Sequence, residues 1–339
     1  MKKTLVLLLL IGFTQLTLGQ DFRIRIGRIE FFGIDGLDIG SIRASMSSVK
    51  DREVSAAEVN QVKATVRDAV RKVTGHSPTD VALVCCDDKG TATIYIGLTN
   101  KMGSGAFWYK PSPSGSVRLP DQAVRQYEAT MQLEVEALQK NDTEDRSKGY
   151  SLSVYPPLRA KQLALREFAI THEELLRRVV LRSAESKHRA IASDILGYAR
   201  RSKSQISTLI GASRDPSEGV RNNAVRALGV LVEAGAVTSK TIPAGLFIDM
   251  LNSGTWTDRN KASHLLAVLS KRRDPRLRHQ LRLRALASLI EMARWRDPTH
   301  ADDARMILGR VAGLTENQLV KLVADGEVEQ IVSAAQHPR

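Results

Sequence analysis

The sequence predicts a small α+β domain followed by an all-α region, and three observations lead there. Near the N-terminus, short stretches of alternating apolar and polar residues flank one strongly amphipathic helical stretch. From Pro156 onward, apolar residues recur only at helical spacing, broken by ARRSKS, RDPSEG, SGTWTD, RRDP and WRDP. Aromatic residues are only 5% of the chain, a balance that suits Ala- and Leu-rich helices better than an all-β fold. The expected divisions are a leader at 1–19, an α+β domain at 20–98, a linker at 99–157 with one helix near 121–140, helical repeats at 158–324 and a tail at 325–339.

The leader reads MKKTLVLLLLIGFTQLTLGQ. Lys2 and Lys3 precede a nine-residue apolar run, Leu5 to Phe13, and a polar segment ends at Gly19. This is the pattern of a secretory signal peptide, and the run is shorter than the ~20 residues a spanning helix needs. The chain is therefore expected to be exported, periplasmic or secreted, with no stable transmembrane span once the signal is removed.

The α+β domain begins with FRIRIGRIEFF. Ile24 and Ile26 alternate with arginines; past Gly27 the parity changes to Ile29 and Phe31, as in a strand with one extra residue at the glycine. GIDG then turns the chain, and 37–49 suits a short helix with Ile42, Met46 and Val49 on one side. Ser55 and Glu58 have capping-box spacing, and Val59, Val62, Val66, Val70 and Val73 form a helical stripe ended by Gly75. Val81 to Cys85 reads as a strand, DDKG as a turn and Thr91 to Leu98 as a second strand. The order is β-α-α-β-β. On the opening strand ending in FFGIDG, the capped helix SAAEVNQVKATVRDAVRKV and the hairpin VALVCCDDKGTATIYIGL, the segment resembles a POTRA domain. That resemblance implies partner capture by strand addition at a sheet edge.

Cys85 and Cys86 are the chain's two cysteines, and adjacent strand residues point to opposite faces. Val81, Leu83 and Cys85 share the face expected to be buried. Adjacent Cα atoms lie about 3.8 Å apart, below the usual disulfide range of about 4.4–6.8 Å. Structural thiols, a strained or intermolecular disulfide, redox chemistry and metal binding all stay open, although Asp87 and Asp88 have no histidine at ligand spacing.

Residues 99–120 are rich in Gly, Ser and Pro and read as a linker. Its FWYK cluster either tucks against a neighbouring domain or forms a ligand platform. Asp121 to Lys140 reads as a helix with the stripe Val124, Tyr127, Met131, Val135 and Leu138.

In the helical region Arg189, Ala192, Leu196 and Gly197 have the spacing R-x-x-A-x-x-x-L-G. Arg221, Ala224, Leu228 and Gly229 repeat it 32 residues on, and Arg259, Ala262, Leu266 and Ala267 after a further 38. Ala304, Leu308 and Gly309 repeat the apolar part, with Ala301 where arginine would stand. RDP occurs three times, at Arg214, Arg273 and Arg296. Periods of this size indicate paired helices, with small residues letting helices approach and leucines filling a shared core. The stretch RDPSEGVRNNAVRALGVL is similar to a HEAT repeat, which implies an α-solenoid in which turn acids such as Asp215 and helix arginines such as Arg221 bond along the stack.

The chain carries a net charge of +13. From Tyr155 onward Lys plus Arg number 30 against 19 Asp plus Glu, whereas the first 154 residues are nearly balanced. The densest run is KRRDPRLRHQLRLR, with Lys271, Arg272, Arg273, Arg276, Arg278, Arg282 and Arg284 against one acid. It is either a solvated helix face or an anion-binding patch. No phosphate loop, GxSxG or CxxC is present, and THEELL lacks the second histidine of a zinc motif because Leu176 stands there. No catalytic, cofactor or metal site is expected. The function expected is an exported, non-enzymatic interaction scaffold holding a protein partner. The alternative is binding of an anionic polymer or surface, meaning envelope glycan or lipid headgroups; the export signal argues against nucleic acid.

Overall fold

The computed structural model describes residues 23–34, 37–87, 89–99, 107–140, 142–237 and 240–337. The leader, Asp35 and Gly36 of GIDG, Asp88 of DDKG, residues 100–106 of the linker and the Leu138 side chain lie outside the described residues. The fold is a small N-terminal sheet domain followed by a helical region. The described residues fall into two compact units: one within Trp108–Pro243, and a second made of those between Arg23 and Phe107 together with those from Ala244 onward.

In the second unit, β1 (Arg23–Phe32), β2 (Glu53–Ser55), β3 (Asp80–Val84) and β4 (Thr91–Gly97) form one sheet in the order β2-β1-β4-β3. β1 runs antiparallel to β2 and parallel to β4, and β3 and β4 form an antiparallel hairpin. The register of β1 against β4 shifts between Ile26 and Arg28, so Ile24, Ile26, Ile29 and Phe31 all enter the same core despite the change of parity. α1 (Ile39–Ala44) and α2 (Val59–Thr74) cover that face. Asp38 caps α1, and the Ser55–Glu58 capping box starts a 3-10 turn that runs into α2. α2 ends at Gly75, whose φ of 76° is the left-handed cap conformation.

The three-residue β2 was not expected. Its sequence, Glu-Val-Ser, is too short to show alternation, and only Val54 reaches the core. The larger difference is on the opposite face of the sheet. Helices were expected to cover one face, yet Phe32, Ala82, Val84, Thr93 and Tyr95 on the other are also buried. The helices that cover them are α10 (Trp256–Ser270), α11 (Pro275–Ala293) and α12 (Pro298–Val311). Trp256 and Trp295 both pack on Tyr95, and the Trp295 indole N–H donates to the Phe31 carbonyl at 3.1 Å. α9 (Ala244–Met250), α13 (Glu316–Ala324) and α14 (Val328–Gln336) complete the unit. α14 occupies most of the expected tail; Ile331, Val332 and Ala335 make one buried face for it.

The first unit contains α3 (Asp121–Gln139), a minimal hairpin of β5 (Glu144–Asp145) and β6 (Leu152–Ser153), and α4 (Pro156–Thr171), α5 (Glu173–Arg182), α6 (Ser186–Leu196), α7 (Lys203–Ala212) and α8 (Glu218–Glu233). Residues 108–119 run as an extended strap along its helices. Lys110 N–H donates to the Arg214 carbonyl, Gly115 N–H to Arg182, and Ala184 N–H to Gly115. Tyr109 packs beneath the Arg221 guanidinium at 4.2 Å, while Trp108 stays 59% exposed beside Arg214.

The three RDP tripeptides have a local cause. Asp274 and Asp297 are N-caps, accepting from Arg276 N–H and Thr299 N–H, and Pro275 and Pro298 follow at the first helical position. Asp215 accepts from Ser217 N–H just before α8. No helix among the described residues is long and apolar enough to cross a membrane.

Candidate functional site

The arginines of the recurrent pattern are buried and occupied. Arg189 donates from one guanidinium nitrogen to the carbonyls of Ser183 and Ala184, six and five residues back, at 2.9 and 3.1 Å. Arg221 does the same with Asp215 and Pro216, at 2.9 and 3.0 Å. Arg259 reaches the Ser253 carbonyl, again six residues back, at 2.6 Å. Each therefore satisfies carbonyls of the turn that precedes its own helix. Where Ala301 stands in place of arginine, Arg305 supplies the bonds from one helical turn later, donating to the carbonyls of Ala293 and Trp295.

Arg189 also makes a two-pronged ion pair with Asp215, at 2.8 and 2.9 Å. Asp215 thus joins α6 to the turn before α8, its carboxylate held by Arg189 and its carbonyl by Arg221. In the second unit Arg259 pairs with Glu291 at 3.1 Å and lies over the Phe32 ring at 4.8 Å. Burial pushes its guanidinium below the ordinary arginine range. Glu291 accepts, in addition, from Gly33 and Ile34 N–H at 2.9 Å each. Ala192, Ala224 and Ala262, and Leu196, Leu228 and Leu266, are completely buried.

The basic run divides into paired and unpaired members. Arg273 donates to the Leu314 carbonyl and Glu316, Arg284 pairs with Asp249, and Arg282 reaches the Gln336 carbonyl at 3.5 Å. Arg272 is exposed and is also engaged. Lys271, Arg276 and Arg278 are exposed, and no carboxylate among the described residues pairs with them. All seven cations belong to α11 or the turn before it, within one unit.

β3 ends at Val84, so the cysteines sit in the loop rather than in the strand. Cys85 packs against the core with Val81 and Leu83, and Cys86 is exposed. The two are joined to one another across a cis peptide bond. Asp87 organises the following turn, its carboxylate accepting from Lys89 N–H and from the Thr91 N–H and hydroxyl, and it pairs with Arg28 at 3.0 Å. Among the described residues no cluster of three or more His, Cys, Asp or Glu could hold a metal.

Two buried polar clusters were missed from the sequence. In the first unit, Glu134 of α3 lies buried near Asp194, Glu144 and Arg226, and burial pushes its carboxyl from 4.5 up to about 8. Tyr127 donates its hydroxyl to Asp194 at 2.8 Å, and Glu144 pairs with Arg226 and with Arg146. A cue existed: Glu134 falls seven residues after Tyr127, on the apolar stripe of its helix. In the second unit, Tyr95, Trp256, Trp295 and His300 form an aromatic cluster with centroids 4.8–5.8 Å apart. Burial lowers the His300 imidazole from 6.5 to about 4, so the ring is neutral there. No local signal links these four positions.

No protein-family model matches the chain, and no curated protein matches it as a relative.

Proposed function

We propose that the chain is an exported, non-enzymatic interaction scaffold, with a POTRA-like module ahead of a HEAT-like helical region whose surface holds a protein partner. The observation that carries this reading is the fate of the recurrent arginines. Arg189, Arg221 and Arg259 make the same contact, each with the turn before its own helix, as stacked helical hairpins require. Side chains that would otherwise be candidates for chemistry are thereby fixed in structural bonds, leaving outward-facing residues for contact. Large apolar side chains stand on those outer surfaces, including Leu181 in the first unit and Val320 in the second, 48% and 54% exposed. Export is supported by Lys2, Lys3 and the apolar run after them.

Photo-crosslinking from Leu181 and Val320 in the full chain tests it. The reading expects a discrete protein adduct that saturates with expression of the chain. Diffuse labelling at both positions, indistinguishable from that of an unrelated exported protein, contradicts it.

A second reading rests on Lys271, Arg276 and Arg278, which face solvent without a carboxylate partner among the described residues. These cations support binding of an anionic polymer or surface, and export places envelope glycan and lipid headgroups ahead of nucleic acid. Such binding falls steeply with salt, whereas contact with a single protein through apolar groups does not.

A further inference from the structure

The joined cysteines occupy a defined place beside the sheet. β3 and β4 pair in register as far as Val84 opposite Thr93. Beyond that point the Asp87 N–H donates to the Thr91 carbonyl at 2.9 Å. Cys85 and Cys86 therefore stand together opposite Ala92, two residues against one, which makes a bulge. β1, on the other side of β4, carries its own extra residue at the same level: Ile26 lies opposite Ala92 and Arg28 opposite Thr93, with Gly27 between them. Arg28 follows one bulge and Asp87 the other, and the two pair over β4 at 3.0 Å. The same Arg28 nitrogen lies 3.9 Å from a second carboxylate, that of Asp297, the N-cap of α12. It is buried and makes no aligned hydrogen bond with either.

We propose that Cys85 and Cys86 form a redox switch that a protein dithiol opens, and that opening passes Arg28 from Asp87 to Asp297. The bond closes no chain beyond the two cysteines themselves, so it adds little of the unfolded-state constraint by which longer-range disulfides stabilise. Its effect is local instead. The closed ring holds the two side chains to one another, whereas neighbouring residues of an extended chain point to opposite faces. The bulge is thereby fixed, and Asp87, the next residue, is fixed with it. Cys86 is exposed and Cys85 packs against the core, so an incoming thiolate meets the Cys86 sulfur. It forms a mixed disulfide there and expels Cys85 as its thiolate, which takes up a proton. The second thiol of the reductant then displaces Cys86 and closes the reductant's own disulfide. Two electrons and two protons pass to the pair, and a protein disulfide reverses the exchange. Once the ring is open, the bulge relaxes and the turn built on Asp87 loosens, because Lys89, Gly90 and Thr91 N–H all take Asp87 as their acceptor.

Counting alkylated thiols by intact mass in the folded full chain, across a series of reduced and oxidised dithiothreitol, tests it together with amide exchange. Expected are no thiols without reductant, two thiols appearing in one two-electron step with circular dichroism unchanged, and their loss on reoxidation. On reduction, exchange at Asp87, Gly90 and Thr91 should quicken by about tenfold or more while Ile94 and Ile96 stay protected. C85S/C86S should exchange as the reduced parent does and ignore dithiothreitol. A double-mutant cycle of Arg28→Gln and Asp297→Asn should show coupling of about fivefold in the unfolding constant in C85S/C86S and less than about twofold in the oxidised parent. Thiols free before reduction, a bond that opens only as the chain unfolds, or exchange at the three amides equal in both states each overturns the proposal. So does equal coupling in the two backgrounds.

Discussion

Arg189 shows how a recurrent arginine resolves into a structural bond. Its guanidinium is 1% exposed and bonds two carbonyls and the Asp215 carboxylate. A buried charge is tolerated when all its donors are satisfied, and removing one partner strands the other. Arg189→Met should destabilise the chain by about 3–5 kcal/mol, measured by urea unfolding; a change below about 1 kcal/mol would mean that Asp215 finds compensation the geometry does not provide. Glu134 makes the opposite case, a buried carboxyl that closes no ion pair among the described residues. It faces Asp194 of α6, Arg226 of α8 and Glu144 of β5, with Tyr198 nearby, and is pushed from 4.5 up to about 8. The folded chain then keeps a proton there that the unfolded chain releases. Stability should therefore fall as pH rises from about 4.5 to about 8. Glu134→Gln removes that slope and raises Tm at pH 8 in a pH series of thermal melts; an unchanged slope would show that the carboxyl is ionised in the folded chain.

At the scale of elements, the strap over the first unit rests on one glycine. A Cβ at Gly115 would lie 2.6 Å from the Arg182 carbonyl oxygen, which itself accepts the Gly115 N–H. Gly115→Ala should push the strap off this turn, so that amide exchange at Gly115 and Ala184 quickens by an order of magnitude or more while α6 and α8 stay protected. Unaltered exchange at both amides would mean that the turn yields instead. The longer elements were legible because each carries its own signal. The Val59–Val70 stripe with its capping box and Gly75, the shift of parity at Gly27, and the RDP turns with Asp before Pro all act within a few residues. β2 was illegible because three residues show no period, and the strand limit at Val84 because Val-Cys-Cys reads equally well one residue longer. The arginine contacts were legible as a recurrence, but their partners were not: carbonyls five or six residues back leave no trace in residue identity, and Arg305 does the same work from a position that the pattern does not mark.

At the scale of the molecule, the second unit is assembled from the two ends of the described chain. Nothing in the sequence signals this, because Tyr95 stands far along the chain from Trp256, Trp295 and His300 and each looks like an ordinary core residue. The separation into units also sets the response to pH. In the second unit burial holds His300 near 4, so below 6.5 the unfolded chain takes up a proton that the folded chain refuses. This unit should weaken as pH falls from 6.5 to about 4, opposite to the trend that Glu134 imposes on the first. His300→Phe keeps the ring contacts and should flatten the acid limb in near-ultraviolet melts of Trp256 and Trp295; an acid limb of the same depth would assign it to other groups. In the proposed division of labour buried arginines hold the helices, and exposed cations on α11 are left to meet an anionic partner. Heparin binding by folded protein, measured for Arg259→Met and for R276Q/R278Q below their melting temperatures, addresses it most directly. Arg259→Met should lower Tm yet bind as the parent chain does, and R276Q/R278Q should keep its Tm and lose binding. Loss of binding in folded Arg259→Met, with R276Q/R278Q binding normally, would contradict it.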